Sequence, residues 1–122
     1  MTEPILVCGV VEHGRQLGRV LGFPTANLPV GAELTAADGV YRAEVETDGA
    51  CFAAMANLGC NPSVGGNRRR LEVHLFGFEG SLYGRPIRVR LFERIRGERK
   101  FASIEALREQ LEADRRTVLE GR

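Results

Sequence analysis

The sequence predicts a mainly β domain: an antiparallel barrel with one α-helix at its C-terminal end. Three observations lead there. Five stretches of seven to nine residues run apolar or alternate apolar with polar. Glycine-, asparagine- and aspartate-bearing turns separate several of them at the intervals of a meander or Greek key. Only the last stretch, from Ser103 onward, repeats its apolar residues with a helical period. Closure into a barrel is the natural end state of such a sheet, because it removes exposed strand edges.

The elements follow in order. Ile5 to Val11 is a short apolar run and reads as a strand. The next stretch, from His13 to Gly31, carries glycine at 14, 18, 22 and 31 and proline at 24 and 29, too broken for a regular element. It is not polar enough for a linker, and long irregular stretches in compact domains are usually functional or disordered. Gly39 to Thr47 alternates, and Asp48-Gly49 signals a hairpin into Ala50 to Leu58. Leu71 to Phe78 sets Leu71, Val73 and Leu75 on one face and Glu72 and His74 on the other. Ile87 to Ile95 alternates again, with Arg88 and Arg90 between its apolar residues. A helix is expected over about 103–120: Ser103 caps it, Glu105 suits its first turn, Ile104, Leu107, Leu111 and Val118 form one face, and Gly121 suits the stop.

With 122 residues, the chain fits one domain, 1–122, large enough to bury a core without a disulfide or metal staple. Its 17 basic and 16 acidic residues leave a net charge of +1, which argues against a general nucleic-acid or membrane-surface binder. Aromatics are 7% with no tryptophan, too few for a stacking platform. No apolar run approaches the roughly 20 residues that span a bilayer, and the N-terminus lacks a signal-peptide pattern, so a cytoplasmic protein is expected. Cys8, Cys51 and Cys60 are odd in number and widely spaced, and read as buried free thiols. Lys100 is the sole lysine, which excludes a Walker A loop. Any phosphate must then be met by backbone amides, arginine or a metal ion.

Several residues carry chemistry, each with a plainer reading beside it. Pro24 biases Phe23 to an extended shape and presents Thr25 and Asn27 two residues apart. A hydroxyl and a carboxamide are hard oxygen donors of the kind Mg²⁺ accepts alongside substrate phosphates; the same residues also read as a turn. Glu72, within Leu-Glu-Val-His-Leu, is either the solvent face of a half-exposed sheet or a base facing a substrate from the barrel's mouth. Arg68-Arg69-Arg70 reads as a phosphate site or, after Gly65-Gly66-Asn67, as a solvated hairpin tip. The segment from Ile95 to Phe101 is a charged connection whose Phe101 can staple onto the helix.

Taken together and in order, HGRQLGRVLGFPTANL, GVYRAEV, NLGCNP, LEVHLFGFEGSLYG, IRGERKF and the terminal helix resemble bacterial riboflavin kinase. This is the module that usually forms the C-terminal half of bifunctional FAD synthetase, and the likeness runs from about Gly9 to Asp114. The resemblance implies a six-stranded antiparallel Greek-key barrel with a terminal helix. It implies that Thr25 and Asn27 hold Mg²⁺ with the ATP phosphates. It also implies that Gly14, Leu17, Gly18 and Arg19 belong to a flap over the nucleotide, within a flap and PTAN segment of about 13–30. Tyr83 would lie near the nucleotide, Arg96, Glu98 and Phe101 would contact the flavin, and Glu72 would be the catalytic base. The implied reaction consumes riboflavin and ATP and yields FMN, in a monomer with neither nucleic acid nor membrane as partner. A non-catalytic flavin or nucleotide sensor on the same barrel is the alternative. The sequence departs from many members at Gly77 and Ser81, where they carry aspartate, and at Ser63, where they carry threonine. With no H-x-G-H motif of an adenylyltransferase, the expected product is FMN and no further.

Overall fold

The computed structural model describes residues 4–12, 25–30, 34–60, 69–78, 82–97 and 102–120. Six strands form one antiparallel sheet: β1 (Ile5–Val10), β2 (Thr25–Pro29), β3 (Gly39–Thr47), β4 (Ala50–Cys60), β5 (Arg69–Leu75) and β6 (Pro86–Arg96). They lie in the order β1-β6-β3-β4-β5-β2. β3, β4 and β5 pair in succession, and β6 returns to lie beside β3, which is a Greek key. Its two end strands nearly meet. Glu12 pairs with Asn27 in an isolated bridge, its N–H donating to the Asn27 carbonyl at 2.8 Å, and this draws the sheet into an almost closed barrel.

Alternation decides which residues fill the barrel. Tyr41, Ala43 and Val45 of β3 point inward, as do Ala54, Ala56 and Leu58 of β4. Leu71, Val73 and Leu75 of β5 meet Ala26 and Leu28 of β2 across the same interior. At the β3–β4 hairpin, Asp48 and Gly49 both take positive φ (49° and 76°), as a two-residue turn between twisted strands requires.

A single helix among the described residues, α1 (Ile104–Glu120), covers part of the barrel's outer face. The Ala106 N–H donates to Ser103 Oγ at 3.1 Å, the expected N-cap. Leu111 and Val118 pack with Val40 and Met55, which point outward from β3 and β4, and Leu107 lies against the same cluster. The barrel thus has two apolar layers, one inside the sheet and a smaller one beneath the helix.

Four expectations need correction. Thr25–Pro29 is a strand, although the surrounding glycines and prolines read as irregular. Pro29 is tolerated because it sits at the strand's last position, where little pairing is lost. β5 begins at Arg69 and stops at Leu75, three residues early, and Gly77 beyond it takes φ +80°. Arg69 belongs to no solvated tip: its guanidinium donates to the carbonyls of Leu34 and Ala36 and to Asp38, tying down the approach to β3. Arg70 pairs with Glu12 at 3.2 Å, while Arg68 lies outside the described residues. Cys8 and Cys51 are exposed, not buried, because each falls on the outward phase of its strand. Partial desolvation, and then the Glu44 carboxylate that accepts from Sγ at 3.4 Å, push the Cys51 thiol pKa up. Cys60 is described in its backbone alone.

Candidate active site

Asn27 and Glu72, two of the candidate residues, lie on the outward face of the barrel wall. Ala26 and Leu28 face the core, so Asn27 between them faces out; Leu71 and Val73 do the same for Glu72. Register then aligns them, because Asn27 stands directly opposite Glu72 in the β2–β5 pair. On the other side of Glu72, Asn57 of β4 stands directly opposite as well. Facing residues on one side of an antiparallel pair have Cβ atoms roughly 4.5–5.5 Å apart, so the carboxylate lies between two carboxamides. The row continues: Asn57 faces Val40 of β3, and Val40 faces Arg96 of β6. Thus Arg96, Val40, Asn57, Glu72 and Asn27 occupy one line of register across five strands.

Burial differs along this line. Asn27 is 5% exposed, whereas the Glu72 side chain keeps 28% of its surface in contact with solvent. His74, two residues on and 5% exposed, brings Nε2 to 3.3 Å from Glu72 Oε1. That contact orients the carboxylate, and becomes an ion pair when the imidazole carries a second proton. Thr25 takes the register position opposite His74, and only its backbone is described. Glu72 therefore looks out from the wall of the barrel rather than from its mouth. Strand pairing, not the enclosure of a lumen, brings Asn27 and Glu72 side by side.

The other candidates are placed unequally. Tyr83 lies 56% exposed on the turn before β6. That turn is fastened to the end of β1 by the Gly84 N–H, which donates to the Val11 carbonyl at 2.9 Å. Arg96 ends β6, and its guanidinium grips Asp114 of α1, with Nη2 2.7 Å from Oδ2 and Nε 3.0 Å from Oδ1. Gln110 adds a bond to Asp114 Oδ1 at 2.9 Å. Gly14, Leu17, Gly18, Arg19, Glu98 and Phe101 lie outside the described residues, as do Ser63 and Ser81. Among the described residues no group of three or more His, Cys, Asp or Glu side chains could hold a metal, and no helix is long and apolar enough to cross a membrane.

The family model described as Flavokinase, riboflavin kinase, matches residues 1–120. The chain belongs to the riboflavin kinase family. It is 43% identical over 119 residues to a bifunctional riboflavin kinase/FMN adenylyltransferase of Escherichia coli, covering 97% of this chain and 38% of that protein. The Bacillus subtilis protein of the same description is 36% identical over 121 residues, covering 96% and 38%. The chain thus spans well under half the length of these curated relatives. Among solved structures, a protein of Streptococcus pneumoniae described as a macrolide-efflux protein superposes with a TM-score of 0.84 at 38% identity, over 94% of this chain and 38% of that one. Riboflavin kinase of Trypanosoma brucei superposes with a TM-score of 0.65 at 20% identity, over 98% and 80%, a likeness of fold.

Two residues of the outer face escaped the sequence reading. His74 appeared only as a polar alternate of its strand, and its contact with Glu72 follows from the i, i+2 spacing. Asp114 falls between Leu111 and Val118 on the helix's inner face, so the helical period that located the apolar stripe also locates it. Its side chain is 3% exposed and that of Arg96 18%. Removing one partner of a buried ion pair strands the other charge, at a cost of about 3–5 kcal/mol. Asp114→Ala is expected to lose about 3 kcal/mol in urea denaturation. The double replacement Arg96→Met with Asp114→Leu should recover most of that loss. An Asp114→Ala variant as stable as the parent would show that the pair does not hold α1 to the barrel.

Proposed function

We propose that this protein transfers the γ-phosphate of ATP to the ribityl 5′-hydroxyl of riboflavin, giving FMN and ADP. The observation that carries the reading is the direct facing of Asn27 and Glu72, at the positions that match the family's PTAN and E-V-H motifs. A carboxylate that takes a proton and a neutral oxygen donor that holds a metal–phosphate group must border one site to serve a single in-line displacement, and neighbouring strands stand about 4.8 Å apart. The β2–β5 register supplies that spacing.

The residues perform separable tasks. Glu72 accepts the proton of the attacking hydroxyl, and His74 holds the carboxylate in one orientation while it does so. Asn27 and Thr25 would hold Mg²⁺, which when bound neutralises charge on the phosphates. The donor set fits that ion: a carboxamide and a hydroxyl are hard oxygen ligands, too few to form a cage, and Mg²⁺ ordinarily completes its shell with substrate phosphates and water. Riboflavin approaches from the β6–α1 side, where Arg96 ends its strand. Phosphoryl transfer depends mostly on positioning and electrostatics, so a barrel wall with one carboxylate and a metal-binding pair is sufficient.

The test is direct. Protein, riboflavin, ATP and Mg²⁺ are mixed, and FMN is sought by chromatography; riboflavin binding without FMN formation by the parent protein would favour the sensor reading. Glu72→Gln should retain fold and ligand affinity and lose about 10²- to 10⁴-fold in turnover. Near-parental FMN production by that variant would overturn the role of Glu72. Asn27→Ala should shift the Mg²⁺ dependence of turnover to higher concentration, and an unchanged magnesium titration would remove Asn27 from the metal site.

A further inference from the structure

Neighbouring arginines at the start of β5 have different duties. Arg69 is committed to structure, its Nε, Nη1 and Nη2 all donating to Leu34, Ala36 and Asp38. Arg70 is held by less. Its Nη1 donates to Glu12 Oε1 at 3.2 Å, and the two side chains keep 27% and 49% of their surfaces in solvent. An ion pair so exposed adds little stability, so Arg70 can exchange it for a stronger partner.

The path of this pair says which partner. Leu71 points inward, so Arg70 and Glu72 on either side of it share the outer face of β5. Arg70 stands opposite Pro29, and Glu72 opposite Asn27. Val11 is buried in the core, so Glu12 after it turns outward, and it bridges to Asn27 on the edge of β2 away from β5. A bond from Arg70 to Glu12 therefore passes over β2 beside Asn27. Asn27 is 5% exposed although it stands on the outer face, which fits a guanidinium lying alongside it. A metal–phosphate group that reaches Asn27 meets that guanidinium. The planar fork of an arginine binds two phosphate oxygens at once, a stronger contact than its single bond to Glu12.

We propose that Arg70 is a catalytic residue of the phosphoryl transfer: on nucleotide binding its guanidinium leaves Glu12 for the γ-phosphate oxygens and stabilises their charge in the transition state. The inference rests on the kinase reading, which puts the γ-phosphate between Asn27 and Glu72. The ribityl 5′-oxygen forms its bond to phosphorus as the bond from phosphorus to the oxygen of departing ADP breaks. The hydroxyl proton goes to Glu72, and Arg70 keeps its own protons throughout. Glu12 is the resting partner that keeps the guanidinium beside the site between turnovers.

The experiment follows FMN formation by the parent, Arg70→Ala and Glu12→Gln over a range of ATP concentrations at saturating riboflavin. Removing a donor aimed at the reacting group costs about 10²- to 10³-fold in kcat, and that loss is expected of Arg70→Ala, with KM for riboflavin unchanged. Guanidinium chloride at millimolar, non-denaturing concentration should restore part of the lost kcat in Arg70→Ala and leave the parent no faster. Glu12→Gln keeps the backbone bridge to Asn27 and should retain parental kcat. Arg70→Gln is read in the same way and decides the matter if the melting temperature shows that the alanine variant does not fold. Parental kcat without Arg70 overturns the proposal. So do equal losses in the Arg70 and Glu12 variants without rescue by guanidinium, because the pair then only braces β2. A parent protein that makes no FMN would instead defeat the kinase reading, and this inference with it.

Discussion

The pairing of β2 with β5 at Asn27 and Glu72 is the constraint on which the site depends. Side chains alternate along a strand with a period of two, so a slip of one residue would carry Asn27 inside and bring Ala26 out. The core prevents that slip. Ala26 and Leu28 are fully buried against Leu71 and Val73, and turning β2 over would put the Asn27 carboxamide, unpaired, into an apolar interior. Packing inside the barrel thereby fixes which side chains stand together outside it. The Glu12–Asn27 bridge holds the short β2 from its other side, so the strand bearing the metal-site candidate is fastened at both edges.

The helix supplies the second constraint. α1 packs its apolar stripe on Val40 and Met55 and clamps Arg96 through Asp114, leaving the outer sheet face divided. One part lies beneath the helix; the other, from Asn57 to Asn27, is polar. The ion pair stands at the end of the register line opposite Asn27, where β6 hands the chain to the charged connection before the helix. A surface that would otherwise be an ordinary solvated sheet face acquires one wall on the helix side.

Much of this was legible in the sequence, for reasons that differ by element. β3, β4 and β6 alternate over long stretches between clear turns, so period and punctuation agree. β2 was hidden because it has two inward positions, Ala26 and Leu28, among residues that signal breaks. The cysteines misled because an apolar run in a strand populates both faces, and Cys8 and Cys51 took the outward one. Glu72 looked like any solvent-face acid until the family resemblance singled it out; its alignment with Asn27 is a matter of pairing between strands more than forty residues apart, which no local pattern encodes.

The account is tested most directly by a structure of the protein with riboflavin, Mg²⁺ and a non-transferable ATP analogue. It predicts the ribityl 5′-oxygen within hydrogen-bonding distance of the Glu72 carboxylate, about 2.6–3.2 Å, with the γ-phosphate on the Asn27 side of it. Flavin and nucleotide bound elsewhere on the barrel, with Glu72 beyond reach of the acceptor hydroxyl even through one water, would contradict it.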